Sequence, residues 1–121
     1  KLSLDLGIQE KVAWLGEQKD TSNLYRRADV LVLPARYEPA GNVVLEALAS
    51  GVKSIVSEFV GYKSFVREGA GLVTSLDIDD LASALQELNL DTDKESLRNS
   101  VAHLTLDYMI ERLVSFYRGS F

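Results

Sequence analysis

Val30-Leu31-Val32-Leu33 is an unbroken apolar run closed by Pro34. A strand wetted on one face alternates apolar and polar residues, whereas a continuous run suits a strand buried on both faces of a parallel sheet. Pro34 has no N–H to give to a ladder and ends the run. Similar short runs stand at residues 11–16 (KVAWLG), 54–57 (SIVS) and 71–74 (GLVT). Helical patterns lie between and after them: Ser22 to Ala28, capped by Thr21 or Ser22; about Asn42 to Ser50, stopped by Gly51; Tyr62 to Glu68; and Asp79 to Leu88, amphipathic with acids in its first turn. Alternation of this kind builds βαβ units, so an α/β parallel sheet with helices on both faces and right-handed crossovers is expected. The tail from about Lys94 to Arg118 reads as two helices, and only Asn89 to Asp93 resembles a linker.

The length of 121 residues suggests one domain. The net charge of −5 argues against nucleic acid and anionic membrane as main partners, since both reward clustered Lys and Arg. The acids Asp77, Asp79, Asp80, Glu87, Asp91, Asp93 and Glu95 read as a solvated helix and its flanks. With no cysteine, disulfides, thiolate metal sites and a Cys nucleophile are excluded. No stretch is long enough to span a bilayer and no signal peptide is visible; the chain starts at Lys1 rather than Met, as a fragment would. Neither G-x-G-x-x-G after a strand, G-x-x-x-x-G-K-[ST], H-E-x-x-H nor G-x-S-x-G occurs.

Within residues 36–51 (RYEPAGNVVLEALASG), Glu46 is the single charge of a helix that is apolar nearly all round. Such a helix is normally buried on most sides, and a carboxylate there costs several kcal/mol unless something pairs with it. Complementing the helix dipole returns only about 0.3–1 kcal/mol. A buried ion pair to Arg36 or Lys53 is one solution; a ligand is the other. Ligands of open parallel sheets bind beyond the carboxyl ends of the strands, where residues 35–42 fall. A helix N-terminus there offers free N–H groups and roughly half a positive charge, and Gly41 allows close approach of backbone. Glu46, one turn in, and Glu38, on the loop, would take ligand hydroxyls from two sides. A phosphate flanked by two hydroxyl-binding carboxylates describes a nucleotide-sugar. A Glu46 turned toward bulk water, or locked onto an internal cation with no open cleft beside it, would remove the enzymatic reading on this ground and leave only the architecture.

Glu38 and Glu46 stand in an E-x7-E spacing after a strand ending in Pro34. The segment ADVLVLPARYEPAGNVVLEALASGV resembles the donor-binding core of the family 4 (group 1) glycosyltransferases. VAWLG, SIVSEFVGYKSFV and GAGLVTSLDIDDLASAL resemble the family's neighbouring strands and turns in the same order, so the likeness covers about residues 10 to 88. Ala40-Gly41 and Gly61-Tyr62 are closer to the lipopolysaccharide-core glucosyltransferase branch than to the commoner Gly-Phe-Gly form.

The resemblance implies a Rossmann-like, incomplete C-terminal half of a GT-B fold, spanning residues 1–121 as a donor-binding domain. Its first β-α unit, with an Arg/Lys pair for the diphosphate, and the N-terminal acceptor domain would precede Lys1. The implied activity is a retaining transfer of a hexose from a nucleotide-sugar, UDP-glucose by resemblance, to a hydroxyl of a glycan or lipid-linked acceptor. Glu46 would bind the ribose hydroxyls. Glu38 would lie by the donor sugar as the catalytic group. The N–H groups from Ala40, Gly41, Asn42, Val43 and Val44 would hold sugar and diphosphate oxygens, and Trp14, Leu15 and Gly16 would lie near the base. Gly61 would turn the chain at the sheet edge. No cofactor or metal is implied. A cytoplasmic location follows, with peripheral membrane contact in the intact protein and polysaccharide or lipopolysaccharide synthesis as its setting; the isolated chain is expected to be inactive. The competing reading is a non-catalytic α/β nucleotide-binding or interaction module that kept the fold.

His103, the only histidine, is expected in helix packing or at the surface. Tyr108, Phe116 and Tyr117, at helical spacing with Met109, Leu113 and Val114, are expected as a packing stripe. Arg26 and Arg27 read as a solvated helix face, and Asp29 as a turn or cap.

Overall fold

A computed structural model describes residues 1–67, 69–91 and 93–119. Three parallel strands, β1 (Val30–Leu33), β2 (Lys53–Ser57) and β3 (Gly71–Thr74), form one sheet in the order β1-β2-β3. Val30 stands opposite Lys53 and Leu33 opposite Val56; Ser54 stands opposite Gly71 and Ser57 opposite Thr74. Six helices accompany the sheet among the described residues: α1 (Leu2–Asp5), α2 (Ser22–Arg27), α3 (Asn42–Ala49), α4 (Ile78–Glu87), α5 (Lys94–Val101) and α6 (Leu106–Arg118). A 3-10 turn over Gly61–Phe65 replaces the short helix expected from Tyr62; its expected end, Glu68, lies outside the described residues, as does Thr92 of the expected linker.

β2 is the centre of the molecule. All five of its residues are buried, and because successive side chains point to opposite faces, both faces must be covered. Val56 packs with Val44 and Leu48 of α3, Val60, and Leu97 and Val101 of α5 in one core cluster. α3 ends as its sequence foretold: the Gly51 N–H donates to Leu48 O and the Val52 N–H to Ala47 O, which satisfies two last-turn carbonyls and feeds the chain directly into β2. Asp77 caps α4 by accepting from the Asp79 and Asp80 N–H groups, and Asp93 caps α5 by accepting from Glu95 and Ser96. The acids of this window, Asp77, Asp79, Asp80, Glu87, Asp91, Asp93 and Glu95, are exposed, as expected of a solvated face.

Four expectations fail, three for want of a neighbour and one because a nearby side chain takes the role. β1 is half-buried along its length, not buried on both faces, because it is an edge strand with no strand on its outer side among the described residues. Residues 11–16 do not form a strand: a 3-10 turn covers Gln9–Lys11 and irregular backbone follows, with Trp14 83% exposed. A strand needs a ladder partner, and none pairs with this segment among the described residues. The α6 stripe is not packed: no residue of α6 is buried, and Met109, Leu113, Phe116 and Tyr117 are exposed. At α2, neither Thr21 nor Ser22 provides the cap; Asp20 accepts from the Ser22 N–H and hydroxyl instead. His103 sits at the surface with its ring edge-to-face on Tyr108, and Arg26, Arg27 and Asp29 are exposed. No helix among the described residues is long and apolar enough to cross a membrane.

Leu48→Ala, at a fully buried position, should lower the unfolding free energy by about 2–5 kcal/mol, whereas Leu113→Ala on exposed α6 should change it by less than about 0.5 kcal/mol. Urea titration of both variants measures the contrast.

Candidate functional site at the carboxyl edge of the sheet

The loop from Pro34 to Gly41 leaves the carboxyl end of β1 and delivers the chain to α3. It is held from beneath by the segment that follows β2. The buried Ser57 hydroxyl donates to Ala35 O at 2.5 Å, the Gly61 N–H donates to Glu38 O at 2.8 Å, and the Tyr62 N–H donates to Ala40 O at 2.8 Å. Glu38 and Val60 form an isolated parallel bridge. This contact depends on Gly61: a Cβ there would lie 1.9 Å from Pro39 O, inside any permissible separation. Gly61 therefore permits a backbone-to-backbone approach, which places its role in the structure of the loop.

Gly41, the N-cap of α3, has φ of 84°, and a Cβ there would fall 2.8 Å from Val60 Cγ1. Both the left-handed backbone and the space demand glycine. No side chain caps α3. The Val44 N–H turns back to Gly41 O at 2.8 Å, while the Asn42 and Val43 N–H groups have no acceptor among the described residues. The first turn of this eight-residue helix therefore presents free donors and the positive end of its dipole at the sheet edge.

The two carboxylates flank that turn in different states. Glu38 is half-buried, and its Oε1 accepts from the Gly41 N–H at 3.0 Å and from the Ala40 N–H at 3.3 Å. It is thereby fixed beside the helix terminus. Two of the five expected N–H donors, those of Ala40 and Gly41, are consequently already engaged by Glu38, and that of Val44 by the helix. Asn42 and Val43 remain.

Glu46 corrects the sequence reading. It is exposed, on the outer side of α3, while Val44, Ala47 and Leu48 carry the buried face. No desolvation penalty therefore demands a ligand for it. Neither Arg36 nor Lys53 pairs with it. Its Oε2 accepts from the Tyr25 hydroxyl of α2 at 2.9 Å. Partial burial, followed by the hydrogen bond and charge of Glu46, pushes the Tyr25 phenol up to about 12 from 10.0. Tyr25 was not foreseen: it lies 21 positions upstream on a separate helix, and only the docking of α2 on α3 brings it in. Trp14, Leu15 and Gly16 stand apart, exposed and without a hydrogen bond to residues 38–46; the Gln18 side chain donates to Leu15 O at 2.6 Å.

A family model described as "Glycosyl transferases group 1" matches residues 1–102. The chain belongs to the group 1 glycosyltransferases. Lipopolysaccharide core biosynthesis glycosyltransferase LpsE of Rhizobium meliloti (strain 1021) is 35% identical over 104 residues, covering 84% of this chain and 30% of that protein. Sucrose-phosphate synthase from Thermosynechococcus elongatus superposes with a TM-score of 0.83 and 29% identity over 98% of this chain and 32% of that one. WaaG, a glycosyltransferase involved in lipopolysaccharide biosynthesis, superposes with a TM-score of 0.70 and 25% identity over 95% of this chain and 33% of that one. The fold is thus the expected α/β, Rossmann-like portion of a GT-B glycosyltransferase, and the chain spans about a third of the length of these relatives.

The Tyr25–Glu46 bond has a direct signature. Below pH 10.0 the neutral phenol donates to Glu46; as the folded-state value is raised, this contribution to stability is full at neutral pH and is lost as pH climbs from 10.0 toward about 12. In an ultraviolet pH titration, Tyr25 should ionise at about 12, and Glu46→Gln should lower that value in part, burial holding the rest of the rise.

Proposed function

We propose that the chain is the donor-binding part of a retaining glycosyltransferase that moves a hexose from a nucleotide-sugar to a hydroxyl of a glycan or lipid-linked acceptor. The observation that carries this reading is the α3 N-terminus: two unoccupied N–H donors, at the carboxyl edge of a parallel sheet, with a fixed carboxylate on the loop side and a second carboxylate one turn into the helix. Diphosphate oxygens would accept from Asn42 and Val43. Glu46, held by Tyr25 and open to solvent, would accept from the ribose hydroxyls. Glu38 would face the donor sugar through its second oxygen, Oε1 being taken by the loop.

The chemistry assigned to these groups is stabilisation of the leaving group. As the bond from the anomeric carbon to the diphosphate breaks, negative charge gathers on phosphate oxygen, and the helix N–H groups offset it without reorganising. Glu38 would offset positive charge at the anomeric carbon. A covalent Glu38 intermediate is not part of this reading, because that route needs a second carboxyl about 5 Å away. The nucleotide-sugar is a substrate, and no cofactor or metal is assigned.

The intact protein would supply the rest. The exposed outer edge of β1 and the unpaired residues 11–16 fit an upstream strand lying between them, in a β-α unit that brings the Arg/Lys pair for the diphosphate, and an N-terminal domain would bind the acceptor. UDP-glucose is the donor we favour, with the lipopolysaccharide-core branch as the setting and a cytoplasmic site of action at the membrane periphery. A second reading, a nucleotide-binding module without catalysis, is favoured by one observation: Glu38 is committed to its own loop through Oε1.

Calorimetric titration of the intact protein with UDP and UDP-glucose should show binding that Glu46→Ala weakens by about tenfold, the effect of losing one charge-assisted hydrogen bond, while the fold persists with a melting temperature lowered only by the loss of the Tyr25 bond. Glu38→Gln should abolish transfer while UDP binding persists. Transfer that survives Glu38→Gln unchanged would refute its catalytic role, and equal nucleotide affinity in Glu46→Ala would refute the ribose assignment.

A further inference from the structure

At the opposite, amino edge of the sheet lies a cavity of about 800 Å³, between the starts of β2 and β3, the end of α4 and the flank of α5. That volume is within the range of small-molecule sites. Lys53, the first residue of β2, lines it and is only 7% exposed. Its ammonium has three donors, and a single hydrogen bond among the described residues uses one of them, to Asn89 O at 2.6 Å. No carboxylate among the described residues is ion-paired with it. A buried ammonium left with one neutral acceptor is costly, and an anion entering the cavity would complete it.

Other cavity-lining groups fit the same occupant. Arg67 lies on the wall and brings a second cation beside Lys53, its Nε donating to Ser64 O at 3.3 Å and its other nitrogens left to an anion. The floor is the backbone of Gly69, Ala70 and Gly71. Glu87 and Asp91 also line the cavity and are exposed, so they disfavour a multiply charged ion but can accept from hydroxyls. Asp93 is already engaged in capping α5.

We propose that this cavity is a second ligand site, taking a small hydroxylated molecule with one carboxylate group, the carboxylate pairing with Lys53 and Arg67 and the hydroxyls meeting Glu87 and Asp91. It is separate from the donor site and does not depend on the function assigned there. In the intact protein, inorganic phosphate and gluconate serve as probes, with sodium chloride at equal ionic strength as the control. Amide resonances of Ala70, Gly71 and Asn89 should shift saturably with gluconate and less with phosphate, a stronger response to phosphate overturning the assignment, and those of Asn42 and Val43 should not shift. Lys53→Met, which keeps the stem and removes the charge, should weaken this response about tenfold or more while leaving UDP binding intact. Arg67→Ala, at an exposed position, should weaken it severalfold without affecting folding. Shifts matched by chloride, shifts confined to Asn42 and Val43, or a response unchanged in either variant would overturn the proposal.

Discussion

The packing of α3 on β2 is the contact on which everything else is built. Val44 and Leu48 of α3 meet Val56 of β2 and Val60 just beyond it, all at or near zero exposure. The turn at Gly51 makes the two elements continuous, so the helix is set against its own following strand at little loop-closure cost. Once Val60 is in place beneath α3, the chain after β2 passes under the loop after β1, and the amides of Gly61 and Tyr62 bind that loop's carbonyls. The site at the helix N-terminus is therefore a by-product of core packing: the same residues that fill the interior fix Glu38 and Gly41 at the sheet edge.

What lies outside this unit is incompletely partnered. Among the described residues β1 has an open edge and residues 11–16 have no ladder, and α6 presents Leu106, Met109, Phe116 and Tyr117 to solvent. These features share one physical meaning. Strand and helix patterns specify which residues can be buried, but burial requires a second surface, and relatives three times as long contain more chain to provide one.

Much of the fold was legible in the residues. The runs at 30–33, 54–57 and 71–74 became the three strands, Gly51 ended α3, and the acids near 77–80 and 93–95 took up helix-start positions, because each of these signals is local: chain stiffness, hydrogen-bonding capacity and apolar content over a few neighbouring residues. The carboxylate pair and its helix were also visible, as E-x7-E beside Pro34 and Gly41. The state of those carboxylates was not. Eight residues that looked apolar on every side turned out to bury one face only, which left Glu46 in solvent.

Sequence by itself determined the order of elements, the parallel sheet and the placement of two glutamates around a helix start. Tertiary structure alone decided that β1 would be an edge, that Tyr25 would hold Glu46, that Glu38 would be bound by the loop it belongs to, and that Lys53 would be buried beside a cavity. The division has a physical reason. Backbone propensity and periodicity act over a few bonds and are written in neighbouring residues, whereas exposure, pairing and proton affinity depend on which distant surfaces meet, and that is settled only when the chain closes on itself.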